Sequence, residues 1–158
     1  MKKIILSIAV LSSILSAELF DKGKTAFGVV AGAGSSNGDS YFVAGVNADY
    51  FVMNGLSVGA GYRGWFGDDP TQHQITLSTN YYLSLNNQYH PYVGVFGRET
   101  FRDDFDYTSY GGRVGIAMRM SPTSYVSAGY AFEESSDCPF RFDDCSNSYP
   151  EFVFSLAF

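Results

Sequence analysis

The last ten residues, Tyr149-Pro150-Glu151-Phe152-Val153-Phe154-Ser155-Leu156-Ala157-Phe158, restrict the fold more than any other stretch. Phe152, Phe154, Leu156 and Phe158 share one face at strict period two; Glu151, Val153, Ser155 and Ala157 share the other. Period two marks an extended strand, because successive side chains point to opposite sides of the pleat. A strand strongly apolar on one side and small or polar on the other, with no chain written after it, suits a sheet whose apolar side faces lipid.

Length and composition narrow the alternatives. At 158 residues there is room for one domain. Lys2-Lys3, the apolar run Ile4 to Leu15 and then Ser16-Ala17 read as a secretory signal peptide over 1–17, leaving 18–158 as the mature domain. The run is too short to cross a bilayer of about 30 Å as a helix. No Cys stands at the cut, so a lipoprotein anchor is not expected. The remainder holds no long apolar run, which excludes a helical membrane protein. Aromatics at 17%, 17 glycines and only 16% charged residues would make a strange water-facing surface. Loss of Lys2 and Lys3 moves the formal charge from −6 to −8, with Lys22 and Lys24 the only lysines left. No basic footprint for nucleic acid exists.

Turn signals divide the mature chain into eight alternating runs. The pattern predicts strands over 25–34, 41–51, 56–66, 72–83, 91–99, 108–120, 125–133 and 149–158. Short connections fall near Met53-Asn54-Gly55, Ser84 to Tyr89, and Ser121 to Ser124. Polar, mostly longer ones run from Ser35 to Ser40, Gly67 to Thr71, Thr100 to Tyr107 and Glu134 to Ser148. An even number of strands closes the sheet and removes the edges that lipid could not satisfy.

Charge decides which face is which. Val93 and Val95 oppose Tyr92, Gly94, Phe96 and Arg98; Val114, Ile116, Met118 and Met120 oppose Arg113, Gly115, Ala117 and Arg119. Likewise Leu56, Val58, Ala60 and Tyr62 oppose Ser57, Gly59, Gly61, Arg63 and Trp65. An Arg facing lipid at the midplane costs about 2–4 kcal/mol. Every Arg within a predicted strand lies with the small residues, so that face is the lumen.

Pro91-Tyr92-Val93-Gly94-Val95-Phe96-Gly97, Tyr110-Gly111-Gly112-Arg113-Val114-Gly115 and Val126-Ser127-Ala128-Gly129-Tyr130 are similar to recurring strand phrases of one family. Over essentially the whole mature chain the sequence resembles the small eight-stranded outer-membrane barrels of the OmpA transmembrane domain, OmpX and opacity-protein kind. The resemblance implies an all-β, eight-stranded antiparallel up-and-down transmembrane β-barrel over 18–158. It implies a place in the bacterial outer membrane, with both termini in the periplasm. The terminal Phe152, Phe154, Leu156 and Phe158 resemble the sorting signal that the barrel-assembly machinery reads. OmpA's peptidoglycan-binding domain has no counterpart here, so that role is not carried over.

Strand direction turns parity into depth. Arg63, Arg98 and Arg113 are expected to meet Glu133 and Glu151 in an upper lumen cluster, with Asp49 and Arg119 as a lower pair. Buried charges persist only when paired or hydrogen-bonded. An eight-stranded barrel has an interior that side chains fill, and Trp65, Tyr82, Tyr92 and Phe96 also point inward. The expectation is a largely plugged lumen; a narrow gated channel through the Arg/Glu cluster is the alternative.

Most carboxylates fall in the predicted outer loops: Asp39, Asp68, Asp69, Asp103, Asp104, Asp106, Glu134, Asp137, Asp143 and Asp144. They read as a solvated acidic rim that shares divalent cations with lipopolysaccharide, since no spacing matches a calcium loop. No resident metal or cofactor is expected. Cys138 and Cys145, the only cysteines, are expected to form a disulfide in an oxidising compartment. Such a bridge staples a tip on which Phe140 and Phe142 flank Arg141, a composition common in binding hot spots.

Enzyme chemistry is not expected. His73 is followed by Gln74, Ile75 and Thr76, and His90 adjoins Pro91; neither has a nucleophile and an orienting acid at readable spacing. The expected partners are outer-membrane lipids, lipopolysaccharide and an extracellular ligand or host surface, and the expected state is a monomer. The expected role is surface interaction or envelope integrity through the loops.

Overall fold

A computed structural model of the chain describes residues 19–36, 39–67, 72–85, 88–102, 106–136 and 146–158. The expected signal peptide over 1–17, Cys138 and Cys145, and the tip Phe140, Arg141 and Phe142 lie outside those residues. Eight strands follow in order: β1 (Thr25–Ser36), β2 (Asp39–Met53), β3 (Leu56–Phe66), β4 (Gln72–Tyr82), β5 (Tyr89–Phe101), β6 (Tyr107–Ser121), β7 (Ser124–Ser135) and β8 (Ser146–Ala157). Each pairs antiparallel with the next, and β8 returns to β1, so the sheet is a closed barrel. The end with residues 19–24, Phe158 and the tight Asn54-Gly55 and Pro122-Thr123 turns is the turn end; the opposite end is the loop end.

Several strands run beyond their predicted limits. β5 extends to Tyr89 and Phe101, and β8 begins at Ser146. The ladders continue through polar pairs such as Thr100↔Tyr107 and Glu134↔Ser146, past the last apolar residue that period two can register.

The outer wall is apolar all the way round. Leu77 on β4 and Val95 on β5 are 66% and 63% exposed, and Val46, Val114 and Phe154 are similarly bare. Water does not tolerate such a continuous apolar band, whereas hydrocarbon does. Rings edge it at both ends: Phe42, Phe66, Phe101 and Tyr110 towards the loops; Tyr50, Tyr81, Tyr89 and Phe158 towards the turns. These are the girdles expected where apolar bodies meet headgroups. Phe152, Phe154, Leu156 and Phe158 all belong to this outward face.

Inside, large side chains lie over glycines of neighbouring strands. A Cβ at Gly115 would stand 2.7 Å from the Tyr92 ring, and one at Gly111 equally close to the Phe96 ring. At Gly111 and Gly115 the lumen face of β6 is therefore small because Phe96 and Tyr92 of β5 are large.

The closing seam is shorter than the others. Thr25 and Phe158 exchange backbone hydrogen bonds at 3.1 and 2.8 Å, and register continues from Ala26↔Ala157 to Ala31↔Phe152. There it ends, although β1 runs on to Ser36 and β8 starts at Ser146.

Candidate functional site: a two-part lumen

The loop-end half of the lumen is a polar network. Arg63, from the loop-end part of β3, is ion-paired to Glu151 on β8, which also accepts from Arg113 Nη1 of β6 at 3.0 Å. One carboxylate thus joins two guanidiniums from different strands. Arg98 on β5, with a fully buried side chain, pairs with Glu133 on β7. Arg98 also donates through Nη1 to the Tyr149 hydroxyl at 2.7 Å and through Nε to Thr76 at 3.0 Å. The Tyr149 hydroxyl donates in turn to Glu133 at 3.0 Å, and Ser109 donates to the other Glu133 oxygen. The Phe96 ring sits beneath both Arg98 and Arg113, at 4.8 and 4.9 Å from their guanidinium carbons. Trp65 donates its indole N–H to Gln74 at 2.9 Å, and Gln74 reaches Thr100 at 3.3 Å.

Arg63, Arg98, Arg113, Glu133 and Glu151 are therefore gathered into one layer, divided into two nets that meet at Phe96. Low dielectric makes each bond strong and each missing partner costly.

The expected lower pair does not form. Asp49 accepts from the Asn47 amide and lies against Gly59, whereas Arg119 turns to the Ser121 carbonyl at 3.3 Å beside the β6–β7 turn. Register sets Asp49 opposite Gly59 and Arg119 opposite Tyr125, a member of the aromatic cluster at the turn end. Parity placed both side chains inward but carries no information on the stagger accumulated around the barrel.

The ring at the centre of that aromatic packing lies outside the predicted strands. The segment before β1 folds into the turn end and buries Leu19 and Phe20. Phe20 stacks on Tyr82 at 4.6 Å and contacts Phe51, Tyr125 and His90. Its carbonyl accepts from Gly55 N at 2.8 Å, and Gly23 N donates to Phe51 O at 2.8 Å. Gly23 and Gly55 both hold positive φ, at 89° and 78°, which lets the segment turn in and the β2–β3 turn receive it. The available signal was the apolar pair Leu19-Phe20 directly before the polar Asp21-Lys22.

Between the two halves lies a chamber of about 40 Å³, lined by Asp49, Asn80, Ser127, Arg113 and Glu151 among others. Asn47 Oδ1, Asn80 Oδ1, Ser127 Oγ and Arg113 Nε are buried there without a partner among the described residues. Of the histidines, His90 belongs to the aromatic base; His73 is exposed on the outer wall, with its Nδ1 2.6 Å from the Tyr62 hydroxyl. Among the described residues no group of three or more His, Cys, Asp or Glu could hold a metal.

No family model matches the sequence, and neither does any curated protein. Solved structures do match. The N-terminal β-barrel domain of Pseudomonas aeruginosa OprF superposes with TM-score 0.65 at 10% identity, covering 87% of this chain and 98% of that one. Neisserial surface protein A gives 0.66 at 16% identity, over 85% and 96%. This chain has the fold of the small eight-stranded outer-membrane barrels. Ail, the attachment invasion locus protein of Yersinia pestis, gives 0.51 at 12% identity, over 87% and 99%. At these identities the likeness of this barrel to the others lies in its architecture.

Proposed function

We propose that the protein is an integral outer-membrane barrel whose working part is its loop-end surface, in surface interaction, adhesion or envelope integrity. Its termini then lie in the periplasm and its loops outside. The observation that carries this reading is the doubly filled lumen: an ionic net joins strands at one end, and Phe20 is wedged among rings at the other. A barrel so filled offers the loops as its main site of contact. The names of Ail and Neisserial surface protein A, attachment and surface proteins, agree with this. The test replaces Phe140, Arg141 and Phe142 together by Ala in cells that display the protein. Loss of adhesion to host cells or matrix supports the reading; unchanged adhesion, with unchanged detergent resistance in a deletion strain, removes it.

A second reading, a narrow gated channel, is favoured by one feature. Arg63 and Arg113 share the single Glu151 carboxylate, an arrangement that could exchange partners. Single-channel conductance altered by an Arg63/Arg98/Glu133 triple-alanine variant would support it; silence from both proteins would retire it.

A further inference from the structure

The β1–β8 seam stops for a reason written in the sequence. Thr25 and Phe158 form a pair that exchanges both backbone hydrogen bonds. Such pairs recur at every second residue of an antiparallel ladder. Along this register they fall at Phe27↔Leu156, Val29↔Phe154 and Ala31↔Phe152, and the next would join Ala33 to Pro150. Proline has no N–H to give, and no β1–β8 pair follows Phe152. Beyond it, the alternation that turns the Phe152 N–H towards β1 turns that of Ser148 the same way, and Gly32 leaves its side of the gap without a side chain. A Cβ at Gly32 would meet only the Pro150 carbonyl, at 3.7 Å.

The break begins within the apolar band, since Pro150 and Ser148 pair on their other side with Tyr130 and Phe132, both exposed on the outer wall. Backbone groups without partners cannot face hydrocarbon; at membrane depth they occur where water reaches them. Just inside the seam, Val30, Glu151, Val153 and Ser155 line the chamber. Its orphaned atoms are both acceptors (Asn47 Oδ1, Asn80 Oδ1) and a donor (Arg113 Nε), and its charges balance, Asp49 and Glu151 against Arg63 and Arg113. A bound cation or anion would upset that balance and satisfy only one kind of orphan; water satisfies both. The volume of about 40 Å³ suits about three waters.

We propose that the chamber is a hydrated site vented sideways: water passes through a notch in the wall between Gly32 and Pro150, at the loop end of the β1–β8 seam, and not along the barrel axis. Phe20 and its ring neighbours block the axial route from the turn end, and the Arg98–Glu133 layer blocks it from the loops.

The test follows exchange with solvent by NMR in the refolded full barrel, in lipid nanodiscs. In the native protein the Ser148 amide is expected to exchange as fast as a loop amide, and the Asn80 side-chain amide to show exchange contact with water. Pro150→Val returns the missing N–H; exchange at Ser148 is expected to slow on the order of 100-fold, and water contact at Asn80 to weaken. Gly32→Leu fills the notch without adding an N–H, so it is expected to weaken water contact at Asn80 and leave Ser148 fast. This variant carries the test should Pro150→Val fail to fold. A protected Ser148 amide in the native protein, or a chamber without water contact, overturns the proposal. So does chamber exchange that ignores both seam variants and rises only with Phe20→Ala, which would assign the route to the axis.

Discussion

The two halves of the lumen solve one problem by opposite chemistry. Towards the loops the space is filled by charges, each fixed by directional bonds: Glu151 between Arg63 and Arg113, and Glu133 among Arg98, Tyr149 and Ser109. Towards the turns it is filled by rings, Phe20 against Tyr82, Phe51 and Tyr125, which need contact but no particular partner atom. An ionic layer specifies which strands meet and leaves an uncompensated charge when one member is lost. A ring layer loses area in proportion to what is removed and relaxes into part of the gap. The ionic half should therefore respond to substitution sharply and in a partner-dependent way, and the aromatic half in a graded way.

The largest effect should come from Glu151→Ala, which strands two buried guanidiniums. A loss of about 3–5 kcal/mol in urea unfolding of the lipid-embedded barrel is expected, and a loss under 1 kcal/mol would erase the contrast. Phe20→Ala should cost about 3 kcal/mol, with Phe20→Leu recovering most of it, as graded packing requires. Glu133→Gln keeps the shape and some hydrogen bonds but removes the charge opposite Arg98; about 1–3 kcal/mol is expected. The Arg98→Met/Glu133→Leu double variant should lose less than Arg98→Met alone, and a double-mutant cycle in the same assay checks this. Asp49→Asn should stay within about 1 kcal/mol, because Asp49 has an amide neighbour and, among the described residues, no ion-pair partner. Smallest of all, Arg119→Ala should shift the unfolding midpoint by no more than about 0.5 kcal/mol warrants, since its bond to the Ser121 carbonyl lies at the turn.

The halves also differ in how far the sequence discloses them. Eight strands could be read from period two because one face of each must satisfy lipid; Val93 and Val95 against Tyr92 and Phe96 is a pattern with a single physical cause. The same parity placed Arg63, Arg98 and Arg113 inward. It could not say which carboxylate each would meet, because partners on distant strands depend on a stagger that no local pattern encodes. Asp49 and Arg119 illustrate the cost: both face inward, at levels that do not meet. The neutral members of the net, Thr76, Ser109 and Tyr149, look like any other lumen residue until the arginines are in place. Phe20 was hidden for another reason. It precedes the first strand, so no periodicity includes it, and only the folded turn end supplies its socket.

Trp65 is the only tryptophan in the chain, and its indole is enclosed in the lumen, bonded to Gln74. In most proteins of a membrane the tryptophans sit at the lipid boundary, where their fluorescence reports the moment a chain enters the bilayer. Here the sole such fluorophore is turned away from the acyl chains, so quenchers carried on lipid tails should leave it untouched. Its emission would record instead the later event in which neighbouring strands close around it, giving this barrel an intrinsic optical clock for interior assembly, separate from insertion.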